Sequence, residues 1–574
     1  MSVTWTKDQK KVIDFREQNL LVSAAAGSGK TAVLVERILS LITDDKHPVD
    51  VDRLLITTFT KAAAGEMKER IGNALQKRLM DDPGNEWLQR QEALLARAQI
   101  TTIHGFCLYV IRNYFHTIDL NPNFRIADEG EMRLLKHDIA EELLEEAYEE
   151  KSPEFMQFAE SYGSGNRGSG LVELLLQLYE YAIASPQPVR WLKESMTYYD
   201  LPEKASWSDF LGAKAVLTEL QTVVKDCLTQ IRRAKKMALS AAGPFLYEET
   251  LHSDEEFLCA LMRCKRVEDF EEQVVNVQWQ RLPSRRSKAM ADVDENLCDE
   301  VIDIRNGIKD VIKGLIKQYF QLPGDLLMEQ MQKTAQNVQT YTELTIRFLE
   351  RLEEKKRKQN ILDFSDQEHL ALRILTREVD GELVPSEAAD IFADYFAEIM
   401  VDEYQDSNLV QEAILNSICK SRKGQDNRFM VGDVKQSIYR FRQAEPGLFL
   451  EKYSRYEAGK EGVRIDLHQN FRSREEVLTL VNEVFERIMI KELGGIVYDE
   501  AAALKAGASY PENPACTAEL LLLSSEEWEE LRPECNWTKA EAEAHVIAAR
   551  IRRMLEEEMV TEEGELRLVQ PGDI

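Results

Sequence analysis

The sequence predicts an α/β protein: a parallel sheet alternating with helices, split by a large helical insertion. Three observations predict it. Short apolar runs followed by helical patterns recur near the start, a stretch from about 130 to 360 repeats its apolar residues at helical spacing, and the strand–loop–helix alternation then resumes. Taken in order, "NLLVSA" (19–24) precedes a glycine loop, "DRLLITTFT" (52–60) precedes "KAAAGEMKERIGNALQKRL", and "AQITTIHGF" (98–106) precedes a further apolar helix. The insertion is typified by "LLKHDIAEELLEEAY" and has almost no strand-like runs. The sheet pattern returns with "FAEIMVDEYQD" (396–406), "NRFMVGDVKQS" (427–437) and "VRIDLHQNF" (463–471). After about 475 a new unit is predicted to begin. There "CTAELLLLS" (516–524) reads as a strand and "KAEAEAHVIAARIRRMLEEE" (539–558) as an amphipathic helix.

A chain of 574 residues, 44% of them hydrophobic, has material for several cores. No apolar run approaches the roughly 20 residues that span a bilayer. The first residues, "MSVTWTKDQKK", contain no apolar signal-peptide core. The expected location is therefore the cytoplasm. Eight cysteines are scattered with no C-x-x-C pair, which favours reduced thiols over a metal site. The net charge of -29 argues against a protein coated in nucleic acid, but not against a local groove. The charge is uneven: residues 131–160 carry three Lys or Arg against ten Asp or Glu, whereas 421–442 carry six against two.

The glycine loop lies in "LLVSAAAGSGKTAVLVERI" (20–38). It matches the phosphate-loop pattern G-x-x-x-x-G-K-[ST] except that Ala24 replaces the first glycine. Such a loop works because backbone N–H groups and a helix N-terminus point at phosphate oxygens. Gly27 and Gly29 would permit the close approach, Lys30 would reach the β- and γ-phosphates, and Thr31 would ligate Mg²⁺. The ATP-binding stretch is thus Ser23, Ala24, Ala25, Ala26, Gly27, Ser28, Gly29, Lys30 and Thr31. A chance glycine turn is the plainer alternative; the strand before the loop and the helix after it count against it. An acid at a strand end is the second requirement. "EIMVDEYQD" supplies Asp402 as a metal ligand, and Glu403 to position and deprotonate the attacking water.

These residues resemble the superfamily 1 helicases of the UvrD/RecB type. In that family the loop reads A-x-x-G-x-G-K-T, which accommodates Ala24. Its acid pair is followed by Gln and Asp, here Gln405 and Asp406. Two later motifs match "GDVKQSIYR" (Gly432 to Arg440) and "QNFRS" (Gln469 to Ser473). The resemblance implies a RecA-like sheet and gives roles by position. Gln9 would read adenine, Phe471 would stack on it, Arg472 would contact the γ-phosphate, and Gln436 would couple that phosphate to the DNA groove. "TFTKAAAGEM" (58–67) and "TTIHGFC" (101–107) resemble the motifs that hold single-stranded DNA. The DNA-contact candidates are Phe59, Thr60, His104, Tyr439, Arg440, Phe441 and Arg442. Base stacking on an aromatic is worth about 1–3 kcal/mol and tolerates any sequence. Core packing is the plainer reading of each aromatic taken alone.

Within the superfamily, "AAAGSGKTAVLVERI", "VDRLLITTFTKAAAGEMKERI", "NILDFSDQEHLAL" and "GDVKQSIYRFRQAEPGLF" resemble the AddA (RexA) family. That resemblance implies a 3'-5' helicase motor using ATP and Mg²⁺, paired with an AddB/RexB-type subunit, processing duplex DNA ends for recombination. It also implies a fuller second RecA-like domain and a C-terminal exonuclease domain. Neither is found in these residues, so the expectation is a truncated form of such a chain. A stand-alone UvrD-type repair helicase and an inactive DNA-binding remnant stay open at this point. The expected domains are 1–130 with 360–475 (ATP-binding), 131–359 (insertion) and 476–574 (start of a second RecA-like domain). Within the insertion, "WQRLPSRRSK" (279–288) carries Arg281, Arg285, Arg286 and Lys288 and no acid. It is expected to be a solvated loop or a phosphate contact to duplex DNA.

Overall fold

The computed structural model describes residues 4–163, 169–284, 293–459, 461–490, 496–500, 502–510, 517–524, 537–562 and 565–574. The chain divides into two compact units, one of residues 1–122 and 366–574, the other of residues 123–365.

In the first unit six strands form one parallel sheet. They are β1 (Leu20–Ala24), β2 (Leu54–Thr58), β3 (Gln99–Thr102), β4 (Glu398–Val401), β5 (Arg428–Gly432) and β6 (Val463–Leu467), in the order β6-β1-β5-β4-β2-β3. All six predicted runs are strands, and all five pairings are parallel. Both faces of a parallel sheet are covered, so its strands read as continuous apolar runs rather than alternating ones. Accordingly β2 and β5 are buried along their whole length. Helices α1 (Lys7–Asp14), α2 (Lys30–Ile42), α3 (Lys61–Asp81), α4 (Glu86–Leu95) and α5 (Ile103–Tyr114) flank the early strands. One core joins Val22, Ile38, Ile56, Ile71, Met400 and Phe429. The carboxyl ends of β1, β4 and β5 lie side by side, which is where open α/β sheets bind ligands.

A buried ion pair fastens the sheet beneath those ends. Arg37 of α2 donates to Glu398 of β4 from Nε (2.9 Å) and from the terminal guanidinium (2.6 Å), and also to the carbonyls of Val12 and Phe15. Both side chains are almost wholly buried, and the guanidinium lies over the Phe429 ring.

The second unit is helical, as its spacing predicts. Glu129–Glu150, Pro153–Tyr162, Ser169–Ile183 and the end of the 36-residue helix Gly324–Gln359 pack around Leu143, Tyr179 and Phe348. Ala213–Ala238, Glu248–Arg263 and Glu295–Tyr319 pack around Leu220, Leu251 and Ile308. The two ends of this unit are tied by a short parallel pairing of Arg125–Ile126 with Ile361–Leu362.

Two features differ from the sequence reading. A hairpin joins Thr376–Val379 to Glu382–Pro385, through Asp380 and Gly381, both at positive φ. The "DG" between β-branched runs is the signal for it. The predicted strand in "CTAELLLLS" does not form: residues 517–524 pair with nothing in a sheet among the described residues, and Leu520 is 81% exposed. An apolar run becomes a strand only where a neighbour offers it a ladder and a face to bury. Residue Cys516, with Arg285, Arg286 and Lys288 of the basic segment, lies outside the described residues. The described cysteines are thiols, most of them buried. Among the described residues no helix is long and apolar enough to cross a membrane.

Removing one partner of a buried ion pair leaves an uncompensated charge and costs about 3–5 kcal/mol. Glu398→Ala should destabilise the sheet-bearing unit by that amount in urea unfolding followed by circular dichroism. A loss below about 1 kcal/mol would show that the Val12 and Phe15 carbonyls satisfy Arg37 without Glu398.

Candidate functional site

The glycine loop runs from the end of β1 to the first turn of α2. Ala24 is fully buried, and its partner in the parallel register is Leu467. A small residue suffices there because the position is strand, not loop. Ser23 lies between Gly432 and Asp466 of the neighbouring strands. The Ala25 N–H donates to the Leu467 carbonyl (3.0 Å) and the Ser28 N–H to the Ala25 carbonyl (3.1 Å). Gly27 (φ 68°) and Gly29 (φ 81°) both take left-handed backbone, and Gly29 caps α2. Lys30 and Thr31 therefore open that helix, with N–H groups free of helical partners at its mouth.

The "QNFRS" segment clamps this loop. Asn470 Nδ2 donates to the Ala26 carbonyl (2.8 Å), and its Oδ1 accepts from the N–H groups of Arg472 (2.8 Å) and Ser473 (2.7 Å). The Phe471 N–H donates to the Gly27 carbonyl (2.8 Å). A Cβ on Gly27 would lie 2.7 Å from the Asn470 amide. Phe471 thus stands beside the loop, while the Arg472 side chain is exposed. Gln9 is buried and engaged at both ends of its amide: Oε1 accepts from the Thr6 N–H (3.0 Å) and Nε2 donates to the Ser28 carbonyl (3.0 Å). In this arrangement it braces the loop.

Across the loop stands the acidic turn. Lys30 Nζ lies 3.0 and 2.9 Å from the two carboxylate oxygens of Glu403. Glu403 has φ 52°, strained for a non-glycine residue. The turn is held on every side. The Asp402 N–H donates to the Thr57 carbonyl (2.9 Å). Gln405 Nε2 donates to Glu403 (2.9 Å) and Asp406 (3.1 Å), and its Oε1 accepts from the Asp433 N–H (2.9 Å). Gly432 leaves room for this contact, since a Cβ there would meet Gln405 Oε1 at 2.3 Å. Tyr404 is buried and its hydroxyl donates to Glu412 (2.9 Å). Burial would raise the Glu412 carboxyl, but Arg428 overrides it and carries it down to about 2. Gln436 Nε2 donates to Asp433 (2.8 Å).

Burial, and then the adjacent Glu403 carboxylate, raise Asp402 to about 6; the same two causes raise Asp406 to about 6. Three carboxylates face one ammonium. Ser28 Oγ, Asp406 Oδ1 and Ser437 Oγ are buried without hydrogen-bond partners among the described residues. Unrelieved negative charge beside an N–H-lined loop fits a divalent cation and a phosphate chain. Among the described residues no group of three or more His, Cys, Asp or Glu could hold a metal alone. Thr31 and Asp402 suit Mg²⁺, which keeps waters and takes phosphate oxygens rather than an all-protein cage.

In the segments that follow β2 and β5 three aromatics meet. The Phe59 and Tyr439 rings have centroids 4.4 Å apart, and Tyr439 and Phe441 5.9 Å. Phe441 is 76% exposed and Ile438 68%. Thr60 accepts the Ala63 N–H and caps α3. His104 Nε2 lies 3.3 Å from Glu368. Four of the six cations of 421–442 are paired with carboxylates. Arg422 and Lys423 pair with Asp390 and Asp394, Arg428 with Glu412, and Lys435 with Asp433. Arg440 is exposed, and the Arg442 side chain lies outside the described residues. Asn470, Gln405 and Glu368 carry contacts that sequence reasoning left unassigned, although "QNFRS", "DEYQD" and "DFSDQEHLAL" quote all three.

This geometry belongs to a known class. The description "UvrD/REP helicase N-terminal domain" matches residues 5–457, and the chain belongs to that family. Among its relatives, a protein of Lachnoclostridium phytofermentans named as a component of an "ATP-dependent helicase/nuclease" is 45% identical over 516 residues, 89% of this chain and 37% of that protein. Proteins of the same name from Bacillus thuringiensis and Bacillus anthracis are 42% identical over 560 residues, 96% of this chain and 45% of theirs. The chain thus spans less than half the length of these relatives.

Two outcomes test the site. Gly27→Ala places a side chain in left-handed backbone, costing about 1–2 kcal/mol, and pushes on the Asn470 clamp. Calorimetric titration with ATP and Mg²⁺ should show affinity reduced by at least about tenfold in a folded protein. For Asp402 the folded value lies above the unfolded one, so the native state holds the proton more tightly. Its contribution to stability is present below the ordinary carboxylate range and is lost as pH rises through about 6. Asp402→Asn should therefore raise the thermal midpoint of the ligand-free protein at neutral pH and flatten its pH dependence between about 4 and 6. An unchanged midpoint would place the Asp402 carboxylate in solvent.

Proposed function

We propose that the chain is the ATP-driven DNA motor of a helicase–nuclease that processes duplex ends for recombinational repair in the cytoplasm. The observation that carries this reading is the Lys30–Glu403 pair at the mouth of the glycine loop, beside Asp402, in a UvrD/REP-family chain. Residues 1–130 and 360–475 form the RecA-like ATP-binding domain, 131–359 an accessory domain, and 476–574 the beginning of a second RecA-like domain. The names of the relatives support translocation linked to a nuclease; 3'-5' polarity, exonuclease activity and an AddB/RexB-type partner belong to the proposal for the whole protein.

The roles follow from the side chains. Lys30 leaves Glu403 to meet the β- and γ-phosphates of ATP. Glu403, released from that pair and still held by Gln405, accepts the proton of the attacking water. Thr31 and Asp402 would hold Mg²⁺, which would supply charge neutralisation at the phosphates. Arg472 has reach to the γ-phosphate and Phe471 a ring for adenine. Gln436, tied to Asp433, links the phosphate end to the segment that carries Tyr439, Arg440, Phe441 and Arg442. Phe59, Tyr439 and Phe441 present π-faces for successive bases, with Thr60 and His104 at the adjoining loops.

Glu403→Gln should bind ATP with Mg²⁺ and turn it over about 10²–10⁴-fold more slowly, whereas Lys30→Ala should lose binding as well. Single-strand-stimulated phosphate release and nucleotide titration read the two effects separately. Wild-type turnover in either variant would overturn the reading.

A further inference from the structure

Glu368 lies outside every role given above, yet it is a buried carboxylate with three side-chain partners near the site. It is 6% exposed and takes hydrogen bonds from three separate places. His104 Nε2, near the start of α5, lies 3.3 Å from Oε1. Gln411 Nε2 donates to the same oxygen (2.7 Å), and Asn408 Nδ2 donates to Oε2 (3.1 Å). Asn408 is the N-cap of helix Leu409–Ile418, and its Oδ1 accepts from the Gln411 N–H (2.8 Å). That cap begins one residue after the acidic turn. The Ser407 N–H donates to the Tyr404 carbonyl (3.1 Å), and the Asp406 N–H to the Glu403 carbonyl (3.0 Å). One buried carboxylate therefore holds His104 with one oxygen and, with both, the cap that follows Glu403.

We propose that Glu368 is a positioning residue that couples a single strand bound at His104 to the acidic turn that bears Glu403. The inference rests on the function proposed above. His104 is about one-third exposed, near the start of the helix that follows β3. A strand that draws on the imidazole changes the bond to Glu368. A buried carboxylate cannot leave a lone pair unsatisfied without cost, so its bonds to Asn408 and Gln411 readjust. The cap moves with them, and Glu403 is three bonded steps away. This route runs on the β3 side of β4, whereas Gln436 serves the β5 side, so the catalytic carboxylate is reached from both flanks of its strand.

Coupling is measured by binding. The Kd of a fluorescein-labelled oligo(dT) is taken by anisotropy on the 574-residue chain, with and without a non-hydrolysable ATP analogue and Mg²⁺, and the analogue's Kd with and without DNA. The wild-type ratio should fall in the usual range of about 5- to 150-fold and be equal in both directions. Glu368→Ala should retain each separate affinity and bring the ratio to about one. Glu368→Gln, which keeps the shape and some of the acceptors, should give an intermediate ratio. A double-mutant cycle with His104→Ala should show that the two substitutions do not add. Retention of the wild-type ratio in both Glu368 variants overturns the inference, as does a parallel fall in both separate affinities and in the thermal midpoint with the ratio unchanged, which marks a mere staple. A wild-type ratio of one, with both ligands bound, overturns the inference alone. Failure of the wild-type chain to bind either ligand overturns the proposed function, and the inference with it.

Discussion

Lys30 and Glu403 are 373 residues apart in the chain, and their ion pair is the contact around which the first unit is organised. The ammonium at the start of α2 faces a carboxylate just beyond β4, a strand two places from β1 in the sheet, with β5 between them. Everything nearby serves that distance. Asn470 fixes the loop from the β6 side, and Gln405 and Gly432 let β5 approach the acidic turn. Below, Arg37 and Glu398 bind the same helix to the same strand through a second ion pair, so α2 and β4 are fastened at both ends. The upper pair is partly exposed and open to ligand, whereas the lower one is buried. The same helix–strand contact thus has a permanent end and an exchangeable one.

The acidic turn stores unfavourable energy on purpose. Asp402 and Asp406 are both raised toward neutrality by burial and by Glu403, and Glu403 itself sits in left-handed backbone. Such a turn persists only where the surroundings over-determine it. Here that support is the Glu412–Arg428–Tyr404 cluster beneath it and Gln405 above. A site that repels itself when empty favours whatever neutralises it, which is the logic of a pre-organised cation and phosphate pocket.

Much of this was legible in the sequence. A phosphate loop is a local device, and so are the apolar runs of a sheet buried on both faces; "LLVSA" and "EIMV" need no tertiary knowledge to be read as strands. The aromatics Phe59, Tyr439 and Phe441, each singled out because it follows a strand, come together in space. What escaped reading depends on contacts between distant segments. Four of the six cations of 421–442 pair with Asp390, Asp394, Glu412 and Asp433, and three of those partners lie outside the stretch. The hydrogen bonds of Gln9 to the Ser28 carbonyl and of Asn470 to the Ala26 carbonyl join distant segments, so only three-dimensional proximity reveals that both brace the loop. The leucine-rich run at 517–524 shows the converse: propensity without a neighbour does not make a strand.

The order of strands has a consequence for how the chain comes off the ribosome. β1 is made first, but both of its neighbours, β5 and β6, lie more than 400 residues later, across the entire helical insertion. At about 5–20 residues per second, the strand that ends in the phosphate loop waits roughly 20 to 80 seconds for its first hydrogen-bonding partner. Only β2 and β3 can pair early, and the helical unit, with its two ends already tied together, can condense in the interval. During that time β1 is an apolar strand with two bare edges, the kind of surface that recruits chaperones or other chains. The nascent chain therefore carries its phosphate loop without either neighbouring strand through most of synthesis, and the Asn470 clamp forms only when the last strand of the sheet arrives.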